Sequence, residues 1–170
     1  MEANLIVSYD PSHAGSAKKE IEAVLKEAKQ KFKYLKSDVE GLFNLRVKDA
    51  RKTVKSLLKL CSKKPEFFEK TFHWVPIDKW CKSTVKEMQS VVKKLEKEIR
   101  KTDKWKMELN KRHYGKGDTV ELILKLTEAV SKPNVDLKNP QKIIKVEIIG
   151  NKAGIALLKA DELLNTQKAK

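Results

Sequence analysis

Lys111, Arg112 and His113 stand side by side, with Lys106 upstream and Lys116 downstream, in the run "KWKMELNKRHYGKGD" of residues 104–118. Such a cluster suits the neutralisation of phosphates, where a guanidinium offers a bidentate fork and lysines act as point charges. Proton transfer through the imidazole would need partners that the sequence does not place nearby. His13, His73 and His113 fall in separate expected elements, and no Ser, Cys or carboxylate keeps local triad spacing with them. The piece "YGKGD" lacks a glycine five residues before Gly115 and a Ser or Thr directly after Lys116, which excludes a nucleotide-hydrolysing phosphate loop. "GNKAG" at 150–154 has hairpin residues in hairpin surroundings rather than a dinucleotide loop. Cys61 and Cys81 have no Cys-x-x-Cys or His neighbours, so neither a zinc site nor a disulfide framework is expected, only two reduced, mostly buried thiols. The sequence thus leads to a binding protein with no metal, no cofactor and no catalytic residues.

Charge names the class of ligand. The chain carries 38 Lys and Arg against 23 Asp and Glu, a formal net charge of +15, which calls for an anionic partner, nucleic acid first. Ten basic and four acidic side chains lie within 93–116 alone. Among them Lys93, Lys94, Lys97 and Lys101 read as the solvated face of a helix. An anionic membrane surface is disfavoured, because the basic residues do not collect on one helix with bulky apolar anchors opposite. No apolar run approaches the roughly 18 residues of a spanning helix, and "MEANLIVSYDPSHAG" has no basic head. These features lead to the expectation of a soluble, cytoplasmic protein without membrane contact.

The elements that position the cluster follow from periodicity. "NLIVSY" at 4–9 reads as a buried strand, and Asp10-Pro11 opens a helix running to about residue 31 with Ile21, Val24, Leu25, Ala28 and Phe32 on one face. "KYLKSDV" and "GLFNLRV" read as strands, Asp49 caps a second helix with Val54, Leu57, Leu58 and Cys61 inward, and "KTFHWVPI" supplies a fourth strand. Strand, helix, strand, strand, helix, strand is the ferredoxin-like order, and it occupies residues 1–75. In the remainder, 76–170, Thr84 and Glu87 have capping-box spacing before a long helix with Val85, Met88, Val92, Leu95 and Ile99 on one face. Trp105, Met107 and Leu109 alternate with Lys106, Glu108 and Asn110 in a strand that ends at the basic cluster. Asp118 and Glu121 cap a helix with Val120, Ile123, Leu124, Thr127 and Val130 inward. Its N-terminal amides, pointing outward beside Lys111, Arg112 and His113, are expected to help hold a phosphate. Tyr114 and Trp105 are candidate stacking surfaces, with Trp105 better read as core. "SKPNVDLKNPQK" reads as an ordered loop, and "IIKVEII" and "AGIALL" flank a tight turn at Gly150-Asn151.

The run from Trp105 through Leu158 resembles a THUMP domain. The resemblance is carried by the strand ending "KRHY", the helix after it, "VDLKNP", and the strands "KVEII" and "AGIALL". In that family an N-terminal ferredoxin-like domain commonly precedes the THUMP domain, which agrees with the order read from 1–75. The overall expectation is an α/β (α+β) chain with a ferredoxin-like domain packed against a THUMP domain. The resemblance implies binding to the acceptor end of tRNA with its unpaired 3′ terminus. Family members that are thiouridine synthetases continue into a Ser-Gly-Gly-x-Asp-Ser loop, and methylases into a cofactor-binding sheet; neither lies within these 170 residues. The nearer resemblance is therefore to stand-alone tRNA-binding adaptors, which imply a separate cytidine acetyltransferase that makes N4-acetylcytidine and supplies the acetyl-CoA and ATP chemistry. A non-specific nucleic-acid binder and the separately encoded RNA-binding part of a thiolation or methylation enzyme are the alternatives. Mapped onto this sequence, Lys106, Lys111, Arg112, His113 and Lys116 are the expected phosphate and terminal-nucleotide contacts, with Lys138, Asn139 and Lys145 in second rank. For "DLKNP", a loop in which Asp136 and Asn139 merely cap their own turns is the competing reading.

Overall fold

The computed structural model describes residues Met1–Lys170. It divides into two compact units, Met1–Ile77 with Asp161–Lys170, and Asp78–Ala160.

The first unit opens with β1 (Leu5–Tyr9), α1 (Ala14–Glu27), β2 (Phe32–Leu35), β3 (Leu42–Val47), α2 (Ala50–Lys63) and β4 (Thr71–Pro76). The strands form one antiparallel sheet in the order β2-β3-β1-β4, the ferredoxin-like arrangement read from the sequence. Leu5, Val7, Ile21, Leu25, Leu45, Leu57 and Trp74 are fully buried between sheet and helices. Asp49 accepts from the Lys52 amide and so starts α2 where its side chain predicts. α1 stops four residues earlier than expected. Its C-terminus is a Schellman turn, with Lys29 N–H donating to the Lys26 carbonyl and Gln30 N–H to that of Leu25. The left-handed position is filled by Lys29 (φ 57°) instead of glycine, so the sequence gives no stop signal, and Phe32 opens β2 rather than extending the helix.

The second unit contains β5 (Lys79–Lys82), α3 (Val85–Leu95), β6 (Trp105–Arg112), α4 (Thr119–Thr127), β7 (Lys142–Ile149) and β8 (Lys152–Leu158). Its sheet runs β5-β8-β7-β6, with β6 and β7 parallel and joined by the α4 crossover, and the other pairs antiparallel. Met88, Val92, Trp105, Met107, Leu109, Leu122, Leu126, Ile144, Val146 and Ile155 fill the core beneath α3 and α4. Thr84 and Asp118 cap as the sequence predicts, accepting from the Glu87 and Glu121 amides. Two expectations change. α3 gives way to a single tight turn at Glu96–Glu98, which swings Glu96 inward to Lys132 while Ile99 is buried from an extended backbone. In α4 the fully inward residues are Leu122 and Leu126, and Ile123 and, just past the helix, Val130 pack half-buried on the same core as expected, whereas Val120 and Leu124 are 67% and 62% exposed. "VELILKL" is apolar on two sides, and packing against β6 and α3, where Gln89 donates to the Lys125 carbonyl, selects the side. The four-residue β5 is too short to show an alternation.

Residues 161–170, expected with the second half, return to the first unit. β9 (Leu164–Asn165) pairs with β4, Leu164 is fully buried, and α5 (Thr166–Ala169) follows. The Thr166 hydroxyl donates to the Thr71 carbonyl at 2.6 Å. A buried leucine, the buried hydrogen bonds of Thr166 with Thr71 and Cys61, and ion pairs from Asp161 and Glu162 to α2 hold this short return, a pattern with no local periodicity to reveal it.

Candidate nucleic-acid interface

The basic cluster sits at one end of the second sheet, where three connections are tied into a frame. After Arg112 the backbone turns through His113 (φ 54°) and Gly117 (φ 125°) into α4. The Lys111 ammonium donates to the Gly117 carbonyl at 2.6 Å and braces this loop from inside. The Tyr114 hydroxyl donates to the Ser83 carbonyl, tying the loop to the β5–α3 corner. Ser83 in turn donates through its hydroxyl to the Gly150 carbonyl and through its amide to Asn151, and Gly150 N–H donates to the Arg112 carbonyl. Gly150, at φ 61°, supplies the tight turn between β7 and β8.

This frame presents a row of cations. The strand registers pair Arg112 with Ile149, Ile149 with Lys152, and Lys152 with Lys82. Directly paired residues share a face, so three of the four strands contribute a cation to one row, with neighbouring strands about 4.8 Å apart. Lys82 and Lys152 are exposed, as are His113 and Lys116 on the adjoining loop. None of Lys82, Arg112, Lys116 or Lys152 forms a salt bridge. Like charges directly opposite on a sheet are destabilising. A row of this kind costs stability that a bound polyanion would restore.

The eight residues expected from the sequence separate into three groups. Lys111, Arg112, His113 and Lys116 converge at the framed end, Lys111 as a loop brace rather than a free charge. Lys106 and Lys145 lie along the sheet face opposite the core, where their charges are already balanced. Lys106 meets Glu108 at 2.6 Å; Lys145, 5% exposed, lies 3.3 Å from Glu108 and 3.5 Å from Glu147. Lys145 is thus an interior counter-ion and offers no charge at the surface. β7 is flanked on both sides, so its two buried charged residues, Lys145 and Glu147, must satisfy each other and their neighbours. Burial pushes the Glu147 carboxyl up from the ordinary range, and Lys145, a hydrogen bond from Asn110 and the Arg112 charge only partly restore it. Burial also opposes ionisation of Glu108, but the Lys106 hydrogen bond and the field of Lys145 prevail and hold it low.

Lys138 and Asn139 lie at the other end of β6, where Trp105 bridges to Val135. Eight strand residues separate the two ends by roughly 20 Å. Their amides both donate to Asp136, which holds that carboxyl low, Asn139 having the larger effect, and their side chains are exposed. Asp136 therefore caps its own turn, as the competing reading held. Two further expectations are revised. Of the amides that open α4, that of Glu121 is taken by the Asp118 carboxylate, whose own negative charge there opposes a phosphate. Tyr114, bonded to Ser83 and packed on the core, is not an open stacking surface, and Trp105 is core at 2% exposure. Lys82 and Lys152 were missed, since they meet only through a strand pairing some 70 residues apart in sequence.

Residues 82–158, which contain this whole arrangement, match the THUMP domain. This segment is a THUMP domain. Three solved structures share the fold over nearly the whole chain. PH1313 from Pyrococcus horikoshii Ot3 is similar with a TM-score of 0.64 at 16% identity, over 94% of this chain and 55% of its own. TrmN from Thermus thermophilus gives 0.59 at 12% identity, over 90% and 44%. A possible methylase from Clostridium difficile 630 gives 0.58 at 10% identity, over 92% and 41%. The chain thus spans about half the length of these structures or less. No curated protein matches it in sequence. Around the THUMP domain, no helix is long and apolar enough to cross a membrane, and no three His, Cys, Asp or Glu residues come together as metal ligands.

Proposed function

We propose that this chain is a cytoplasmic tRNA-binding adaptor. It grips the acceptor end through the framed end of its THUMP domain and presents the tRNA to a separate modification enzyme, a cytidine N4-acetyltransferase. The observation that carries the tRNA reading is the unpaired row Arg112, Lys152 and Lys82 on a THUMP domain. Arg112 takes a phosphate through its guanidinium fork, Lys152, Lys82 and Lys116 act as point charges, and His113 stands beside them for the terminal nucleotide. The chain positions RNA, and chemistry belongs to the partner.

A second reading makes the chain the RNA-binding part of a tRNA methylation enzyme. It is favoured by the fold shared with the possible methylase from Clostridium difficile 630, 41% of whose length this chain covers.

Two measurements test the proposal. Binding of intact tRNA is compared with that of the same tRNA lacking its unpaired 3′ nucleotides, at fixed near-physiological salt. A marked loss on trimming is expected for wild type and a much smaller one for Arg112→Ala; equal binding of trimmed tRNA and of duplex DNA would sink end recognition. Reconstitution then separates the partners. N4-acetylcytidine formation by a purified acetyltransferase should depend on added chain, and methylation that depends on it instead would favour the second reading.

A further inference from the structure

One helix does collect cations, and it lies outside the THUMP domain. Across its fourteen residues α2 carries Arg51, Lys52, Lys55, Lys59 and Lys63 and no acidic residue, whereas α1, of equal length, carries three cations and three carboxylates. At 3.6 residues per turn, Ala50, Thr53, Val54, Leu57 and Cys61 define the buried side, and all five cations fall within about 120° of arc opposite it. Arg51, Lys55, Lys59 and Lys63 succeed one another every fourth residue, about 6 Å apart along the axis.

The chain already shows what this ridge attracts. Asp161 and Glu162, on the returning segment, sit over its first turns: Glu162 lies 3.5 Å from Arg51 and 3.6 Å from Lys55, and Asp161 lies 3.9 Å from Lys55. Beyond them the ridge is uncompensated, because the ammonium groups of Lys52, Lys59 and Lys63 meet no carboxylate. A solvating surface would mix signs, as α1 does. A membrane-seeking helix would need a free apolar side, and that of α2 is spent in the core. The exposed ring just past this helix, Phe67, is already covered by the Lys64 ammonium at 5.2 Å, so the surface suits backbone phosphates rather than the stacking of single strands.

We propose that the outward ridge of α2, through Lys52, Lys59 and Lys63, is a second RNA contact that follows the phosphates of a base-paired stem. It rests on the RNA-binding reading of the chain but not on end recognition, and it gives the first unit a binding role of its own.

The test uses the full chain, with intact tRNA and a blunt RNA hairpin lacking any unpaired end, titrated across salt. The triple variant Lys52→Gln, Lys59→Gln, Lys63→Gln should weaken both RNAs roughly tenfold near physiological salt. The slope of log K against log salt should fall by about 2 to 3, the release expected from three phosphate contacts. The corresponding triple Lys→Arg variant should restore both, which guards against a folding defect. An unchanged slope in the Gln variant would overturn the proposal, and so would an unchanged slope with lost adhesion to phosphatidylserine vesicles, which would assign the ridge to a membrane. Arg112→Ala reports separately. If wild type ignores trimming while the α2 variant still loses the hairpin, end recognition fails and the ridge stands.

Discussion

Lys145 and Arg112 share one face of one sheet, yet they are different instruments. Lys145, in the middle of a flanked strand, is enclosed by Glu108 and Glu147. Arg112, at the end of an edge strand, belongs to a row whose other cations, Lys152 and Lys82, also lack a carboxylate. The difference teaches that net charge does not measure binding capacity. Strand position decides whether a cation is spent on the fold or left for a ligand.

The contrast breaks most visibly at its interior member. Lys145→Ala leaves the buried Glu147 carboxyl without its paired cation, whereas Glu108 keeps Lys106, and should cost about 3 kcal/mol in urea unfolding, with little change in the salt slope of RNA binding. A wild-type midpoint with a reduced slope would reverse the assignment. The exterior member should behave oppositely. Arg112→Ala is expected to weaken tRNA binding roughly tenfold, about 1.4 kcal/mol, while stability moves within about 0.5 kcal/mol; fluorescence anisotropy and thermal melting on one preparation read both. Lys82→Ala and Lys152→Ala should each lower the salt slope by roughly 0.7 to 0.9. Either one should also leave the fold slightly more stable, because it relieves a like-charge pair; a loss of stability would mean that the row is structural.

The smallest effect sharpens the comparison through pH. Glu147 is held high by burial, so its contribution to stability is gained as pH falls through its folded-state pKa and is complete below the ordinary carboxylate range. Glu108 and Glu96 are held low, although burial works against both; for Glu96 the largest cause is the Lys132 hydrogen bond. Their contribution is present above the ordinary range and lost as pH falls through their folded values. Urea unfolding from about pH 8 to pH 3 should therefore show stability rising on the acid side of neutrality before it falls. Glu147→Gln should remove the rise and keep the fall. A rise that survives the substitution would move the titration to another group.

Legibility followed the range of the interactions. Caps at Asp49, Thr84 and Asp118 and the alternation of β6 act within a few residues, and the sequence displays them. The Lys29 turn was hidden because a lysine does what a glycine would advertise. The phase of α4 was hidden because an apolar stretch on two sides leaves the choice to its neighbours. At the site, Arg112 and Lys116 were visible as a local cluster, whereas Lys82 and Lys152 join it only through register. Lys145 could not be recognised as spent without knowing that β7 is flanked on both sides.

The return of β9 to β4 sets an order on synthesis. Nearly ninety residues separate the two strands, and the whole 78–160 unit lies between them. At translation rates of about 5 to 20 residues per second, the outer edge of β4 waits roughly 4 to 18 seconds for its partner. During that interval the nascent first unit presents an open strand edge, the kind of surface that pairs with other chains. The ribosome thus exposes an aggregation-prone edge whose centre is covered only when Leu164 and Asn165 pair with Trp74 and His73.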